Sequence, residues 1–304
     1  MKENKKKILI LDKIHESGLN VLKKKFIIHS ELKIKRKELL KIIKNYHIII
    51  LKSTIQVDKG LINNAYKLEL VARAGTGLDN IDIKYLKNKN IKLVNTPSPS
   101  KFSVAEFTIM LVLISIKKFS KSLEMISKLD FRRNLLVGRN LSNIKIGVVG
   151  YGNIGKLVAK RFKYLGAKVS IYDPKIKNTF GFDNLIKKSD VVTFHIPLNN
   201  KNKYLINNKK MKKMKDGVIL INTSRAEIFH PEFYKKIKKK FTLCTDLINP
   251  EPNYHQAKDL RFKKHSWLKN KNIIFTPHIA SMTHETQSEI SLSIANGIIK
   301  KVLC

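Results

Sequence analysis

Runs of four to six apolar residues alternate with amphipathic stretches along most of the chain. In the N-terminal third, Lys7–Asp12, Phe26–Ser30, His47–Lys52, Leu68–Ala74 and Ile91–Asn95 hold apolar runs too short for helices, which predicts five strands. Between them His15–Lys25, Arg36–Asn45, Val57–Ala65 and Ile83–Asn88 carry helical patterns. Strands that are apolar throughout, rather than alternating, belong in a parallel sheet covered on both faces. The pattern therefore predicts a doubly wound α/β domain.

Thr96-Pro-Ser-Pro-Ser100 can continue neither a helix nor a central strand and reads as a linker. Beyond it, Ser103 and Glu106 stand at capping-box spacing and predict a long helix toward Ser120 or beyond, apolar on nearly every side and hence buried. A second series starts at Ile144. Strands are expected at Ile144–Val149, Lys168–Tyr172, Val191–His195, Val218–Asn222, Thr242–Thr245 and Ile273–Thr276, with a helix at Gly155–Leu165. A last helix, Glu285–Val302, carries the apolar stripe Ile290, Ile294, Ile298. The fold class expected is α/β, with two doubly wound parallel-sheet domains.

The clearest chemical signal is Gly150-Tyr-Gly-Asn-Ile-Gly155, placed after one predicted strand and opening a helix. The first glycine permits the tight turn, Gly152 lets the backbone approach a pyrophosphate, and Gly155 allows close helix–strand packing. The helix N-terminus beneath favours an anion. Asp173 ends the next strand, roughly 20 residues on, where a carboxylate accepts hydrogen bonds from a ribose and repels a 2′-phosphate. NAD is therefore the expected cofactor.

Three further residues follow the C-terminal ends of successive strands: Arg225, Glu251 and His278. Arg225 can grip a carboxylate with two parallel hydrogen bonds. His278 is a natural acid/base near neutral pH, and a carboxylate such as Glu251 on its ring would favour the imidazolium. Taken together they suit proton and hydride exchange with a hydroxy acid.

Composition changes the picture in one respect. The chain has 61 Lys+Arg against 23 Asp+Glu, a net charge of +38. The lysines are spread evenly, with no aromatic interleaving and no helix-turn-helix or zinc-finger pattern, so no specific nucleic-acid partner is expected. Compositional drift with a gain in solubility accounts for them, and the field would draw anionic substrates. Cys244 and Cys304 lie far apart, neither a disulfide framework nor a metal spacing, which fits a reducing cytoplasm. The basic start Met1–Lys7 is followed by too short an apolar run for a signal peptide, and Phe107–Ile116 is too short to span a membrane.

Several spaced motifs occur together in one order. They are Val71 through Asp82, Asn95-Thr-Pro97 with Ser103-Val-Ala-Glu106, the glycine turn, and His195-Ile-Pro-Leu198. Asn222-Thr-Ser-Arg225, Asp246 through Glu251-Pro252, and Thr276-Pro-His-Ile-Ala280 complete the set. Across nearly its whole length the chain resembles the D-isomer-specific 2-hydroxyacid dehydrogenases, most of all their phosphoglycerate dehydrogenase branch. The resemblance implies a flavodoxin-like substrate domain, residues 1–97 with 283–304, and a Rossmann NAD-binding domain, 98–282. It implies an active site between the domains, homodimers formed through the nucleotide domain, and Arg225, Glu251 and His278 as the catalytic trio.

The same resemblance implies cofactor contacts from Thr76, Gly150, Gly152, Asn153, Ile154, Gly155 and Asp173. It adds Ile196, Pro197, Thr223, Ser224, Asp246 (to the nicotinamide amide) and Ser281. For the substrate it implies a carboxylate cradle around Arg73, Gly75 and Gly77, with Lys52, Arg73 and Arg133 meeting a phosphate. An anionic 2-hydroxy acid is the expected partner: 3-phosphoglycerate in serine synthesis, or glyoxylate, hydroxypyruvate or D-lactate. A non-enzymatic dinucleotide sensor or RNA-binding protein is the alternative of another class. The chain departs from the family pattern where Lys52 replaces an arginine and Ala226-Glu227 replaces a glycine pair. Ending at Cys304, it is expected to lack the regulatory domains of some relatives.

Overall fold

The computed structural model describes residues 5–237, 241–249, 251–252 and 266–303. Cys304, the first four residues of the basic start and most of the stretch after Pro252 lie outside them. The chain forms two compact units, Met1–Ser100 with Ser281–Cys304, and Lys101–Ala280.

The first unit contains β1 (Lys7–Ile10), α1 (Glu16–Lys23), β2 (Ile27–Ser30), α2 (Arg36–Ile42) and β3 (Ile48–Leu51). It continues with α3 (Lys59–Asn63), β4 (Leu70–Arg73), α4 (Ile83–Asn88) and β5 (Lys92–Asn95), and ends in the C-terminal helix His284–Val302. The five strands are parallel in the order β2-β1-β3-β4-β5, a flavodoxin-like order whose switch point lies between β1 and β3. Alternate residues of each apolar run face opposite cores. Ile8, Ile48 and Ile50 pack with Ile290, Ile294 and Ile298 of the C-terminal helix, whereas Leu9, Ile49 and Leu51 pack under α2 and α3. Two covered faces explain why these strands lack polar alternation. Gly18 lets the C-terminal helix close on α1, because a β-carbon there would meet the Ser291 carbonyl oxygen at 2.2 Å.

The second unit contains α5 (Lys101–Ile116), α6 (Phe119–Ile126), β6 (Lys145–Val149), α7 (Asn153–Tyr164), β7 (Lys168–Tyr172) and α8 (Phe182–Lys188). Then come β8 (Val191–Phe194), α9 (Asn208–Met211), β9 (Val218–Asn222), α10 (Pro231–Lys236), β10 (Phe241–Thr245) and β11 (Ile273–Phe275). Its six strands are parallel in the order β11-β10-β9-β8-β6-β7, with the switch point between β6 and β8. Apolar clusters again cover both faces.

Local details differ from the sequence pattern. The expected long helix breaks after Ile116, where Lys118 adopts a left-handed φ of +54°, and resumes as the separate α6. Ser103 does not cap it. The helix already starts at Lys101, and the Ser103 hydroxyl donates to the Ala280 carbonyl at 2.7 Å, while Glu106 pairs with Arg161. α3 is shorter than its pattern because Asp58 caps it, accepting from the Leu61 N–H at 2.9 Å. α7 begins at Asn153, two residues before the expected start.

Candidate active site

Ligand-binding groups in open parallel sheets gather beyond the C-terminal strand ends. β6 runs straight into Gly150, whose φ of +92° favours glycine. A β-carbon on Gly150 would meet the His195 carbonyl oxygen at 2.4 Å, and one on Gly155 the Gly150 carbonyl oxygen at 1.9 Å. At Gly152 nothing lies within 4 Å of that position. The turn is thus closed beneath and open at Gly152, where a pyrophosphate needs to approach the backbone. Gly152 is also the N-cap of α7 and supplies no side-chain cap, so the first-turn N–H groups of Asn153 and Ile154 suit an anion. The residues present fit a dinucleotide.

Asp173 braces this turn from the end of β7. Its carboxylate accepts from the Tyr151 N–H at 2.8 Å and the Lys175 N–H at 2.9 Å. A carboxylate has about four lone-pair sites, so capacity for ribose hydroxyls remains. Ile196 packs on the back of Gly150, and Pro197 follows it, exposed. His195, a motif residue without an expected role, lies beneath the same turn. Its Nε2 lies 2.9 Å from Thr193 Oγ1, and burial lowers its pKa to about 3, keeping the ring under the turn neutral.

The strands β9, β10 and β11 are neighbours, and each delivers functional groups from its end. β9 ends in Asn222, fully buried, whose side chain folds the next loop around itself. Its Oδ1 accepts from the Ser224 N–H (3.1 Å) and hydroxyl (2.9 Å), and its Nδ2 donates to the Arg225 carbonyl at 2.8 Å. Thr223 is held by Thr108, hydroxyl to hydroxyl at 3.2 Å. Arg225 is half-buried, with Nη1 donating to the Ser224 carbonyl at 2.6 Å. The Ala226-Glu227 pair opens a short 3-10 turn in which Ala226 is buried.

Asp246 follows β10 and is 1% exposed. Its carboxylate accepts from Thr276 Oγ1 (2.6 Å) and from the Ile279 and Ala280 N–H groups (2.8 Å each). Its carbonyl accepts from the His278 N–H at 2.9 Å. Burial raises its pKa, and these donors pull the other way. Asp246 therefore anchors the whole loop after β11, a task beyond the cofactor contact implied by resemblance. His278 sits in that loop with φ +56°, a strained conformation for a non-glycine residue that persists only where surroundings impose it. Its Nδ1 lies 3.3 Å from Glu251 Oε1.

The first unit carries the remaining residues. Lys52 follows β3 and Arg73 is the last residue of β4, the register pairing Leu51 with Arg73. Arg73 is 7% exposed, and its guanidinium lies over Gly75: a β-carbon there would be 1.8 Å from Nη1. Gly75 has φ +149°, so the Arg73–Gly77 loop needs glycine there for its conformation, and a side chain would displace the Arg73 guanidinium. The Thr76 hydroxyl lies 3.3 Å from that of Ser100. Ser281 opens the return segment, its carbonyl accepting from Gln287 at 3.0 Å. Arg133, by contrast, is exposed on a 3-10 turn of the second unit. Among the described residues no group of three or more His, Cys, Asp or Glu is placed to hold a metal.

The sequence pattern assigns no loop-holding role to Asn222 or Asp12, yet Asn222 folds the Arg225 loop and the Asp12 carboxylate accepts from the Lys52 N–H. For Asn222 and Asp12 a signal exists: each is the polar residue that closes an apolar strand run.

Residues 109–280 match the model of the D-isomer specific 2-hydroxyacid dehydrogenase NAD binding domain. The chain is 33% identical over 278 residues to a hydroxypyruvate reductase of Thermotoga maritima, covering 88% of this chain and 89% of that one. It is 32% identical to a D-3-phosphoglycerate dehydrogenase of Archaeoglobus fulgidus, covering 96% of this chain and 56% of the relative, so it spans little more than half of that enzyme. Among solved structures, the D-lactate dehydrogenase of Aquifex aeolicus complexed with NAD and lactic acid matches with a TM-score of 0.85 at 27% identity, covering 98% and 96% of the two chains. The glycine turn, the two doubly wound sheets and these matches agree, and the chain belongs to the NAD-binding D-isomer specific 2-hydroxyacid dehydrogenase family.

Proposed function

We propose that the protein is an NAD-dependent D-3-phosphoglycerate dehydrogenase, acting at the first step of L-serine biosynthesis. The observation that carries the substrate choice is the pairing of Lys52 and Arg73 at adjacent strand ends, two cations suited to an acid with two anionic groups. Arg225 and the Arg73–Gly77 loop hold the carboxylate, Lys52 takes the phosphate, and Arg133 adds positive charge. His278 removes the hydroxyl proton through Nε2, the ring nitrogen opposite the one facing Glu251, and Glu251 stabilises the imidazolium. When bound, NAD supplies the hydride acceptor. Asp173 favours NAD over NADP by repelling a 2′-phosphate. In the reverse direction His278 returns the proton.

The protein acts as a cytoplasmic homodimer in this reading. No helix among the described residues is long and apolar enough to cross a membrane. Cys244 is a buried free thiol whose pKa burial pushes up to about 12, which suits a reducing compartment. Phe119, Leu123, Ile126, Leu129 and Phe131, on and after α6, are all at least half exposed, and apolar side chains left open in one stretch support this face as the one a second copy covers.

A second reading is a glyoxylate or hydroxypyruvate reductase, favoured by the Thermotoga relative and by lysine rather than arginine at position 52. Assay of NADH formation from 3-phosphoglycerate, D-glycerate and D-lactate separates them. The phosphorylated acid is expected to have the higher kcat/KM, by about tenfold or more, as befits one further charge-assisted contact. Equal rates with and without the phosphate would favour the reductase, and no turnover of any of the three would remove both.

A further inference from the structure

Lys52 is held from three sides. Its N–H donates to Asp12 Oδ2 at 2.7 Å and its carbonyl accepts from Asn80 Nδ2 at 2.9 Å. Asp12 and Asn80 are both buried, and the Thr54 hydroxyl lies 3.2 Å from each Asp12 oxygen. The side chain is taken up by the C-terminal helix. Lys52 Nζ donates to Gln287 Oε1 at 3.0 Å, and Gln287 Nε2 donates to the Ser281 carbonyl at 3.0 Å. An ammonium only donates and a carbonyl only accepts, so this orientation of the amide alone satisfies both neighbours.

We propose that Gln287 is a positioning and specificity-determining residue that aims the Lys52 ammonium at the substrate's second anionic group and ties that aim to the Ser281 backbone. The inference rests on the reading of Lys52 as a substrate cation. Lysine lacks the planar fork that pre-organises arginine, so at a position where lysine stands a second residue has to fix its heading. Glutamine does this without cancelling charge. A glutamate of nearly the same shape would neutralise the ammonium before substrate arrives and would lose the donor to Ser281. Burial disfavours the ammonium, Asp12 supports it and Arg73 opposes it, so a further carboxylate beside it would change the charge that the substrate meets.

The test compares the whole chain with Gln287→Met and Gln287→Glu at saturating NAD. Gln287→Met is expected to raise KM for 3-phosphoglycerate about tenfold with kcat within about twofold, and to leave D-glycerate within about twofold in both. Gln287→Glu is expected to raise the 3-phosphoglycerate KM further. A KM unchanged in both variants, or equal losses with both substrates, would overturn the proposal. A second measurement needs no substrate: the rate at which an amine-reactive reagent acylates Lys52, read by peptide mass spectrometry. Release of the ammonium in Gln287→Met is expected to speed acylation, and Gln287→Glu to slow it; unchanged rates in folded variants would overturn the proposal. Should the wild type show no preference for the phosphorylated acid, the phosphoglycerate reading fails, while the labelling still decides whether Gln287 controls Lys52.

Discussion

His278 Nδ1 and Glu251 Oε1 face each other at 3.3 Å, although His278 belongs to a strained loop and Glu251 to a different one. The loop carrying the imidazole is fixed by Asp246, which accepts from both Ile279 and Ala280. Asp246 thus fixes the loop of the imidazole while Glu251 faces its Nδ1. Replacing Glu251 by Gln keeps the shape and removes the charge that, in the proposed reaction, stabilises the imidazolium. The expected outcome is a fall in kcat of roughly 10–100-fold with KM little changed, since the interaction strengthens in the transition state. A steady-state comparison of kcat and KM checks it; a pure KM effect would contradict it.

Asn222 is the buried post around which the Arg225 loop is wound. Asn222→Ala leaves the Arg225 carbonyl and the Ser224 groups without these partners. A cost of about 1–3 kcal/mol in stability is expected from denaturant unfolding, together with a raised substrate KM as Arg225 loses its heading. Unchanged stability would show that the loop holds itself.

Gly155→Ala tests the dinucleotide turn. The added carbon would lie 1.9 Å from the Gly150 carbonyl oxygen, a contact with backbone that no side-chain motion relieves. NADH binding, followed by fluorescence titration, is expected to weaken by about tenfold or more. Gly152→Ala meets no neighbouring protein atom and is expected to spare the fold, so a binding loss there reports the ligand's approach alone.

The architecture was legible because strands buried on both faces leave long apolar signatures, as in Ile48-Ile-Ile-Leu51. The glycine turn was legible for a similar reason, since the conformation at Gly150 and the close backbone packing at Gly155 exclude other residues. Less visible was the break between α5 and α6, where Lys118 takes a left-handed conformation that nothing in its identity announces. Ser103 misled because capping spacing is local, whereas its hydroxyl is claimed by the distant Ala280 carbonyl. Asp12, Asn222 and Gln287 acquire their roles from neighbours brought together by folding, and their residue types alone do not reveal them.

Lys52 carries a pH dependence of two signs. Burial above all, and the Arg73 charge, lower the pKa of its ammonium below the ordinary lysine value, with Asp12 opposing. As pH rises through the lowered value the charge is lost, so KM for an anionic substrate is expected to climb earlier on the alkaline side than an ordinary lysine would allow. Folding stability moves the other way. Between the folded and unfolded pKa values the unfolded chain binds the extra proton, so this residue's contribution rises with pH. Lys52→Arg, permanently charged, is expected to flatten the KM profile. A wild-type KM independent of alkaline pH would count against Lys52 as a substrate contact.

In the proposed reaction His278 moves the substrate proton. His278→Ala, assayed beside the wild type for hydroxy-acid turnover and for NADH binding, isolates that step. The expected result is unaltered NADH affinity with kcat lower by about 10²–10⁴-fold, the usual contribution of a positioned acid–base group. Turnover within a few-fold of wild type would rule out His278 as the acid–base group.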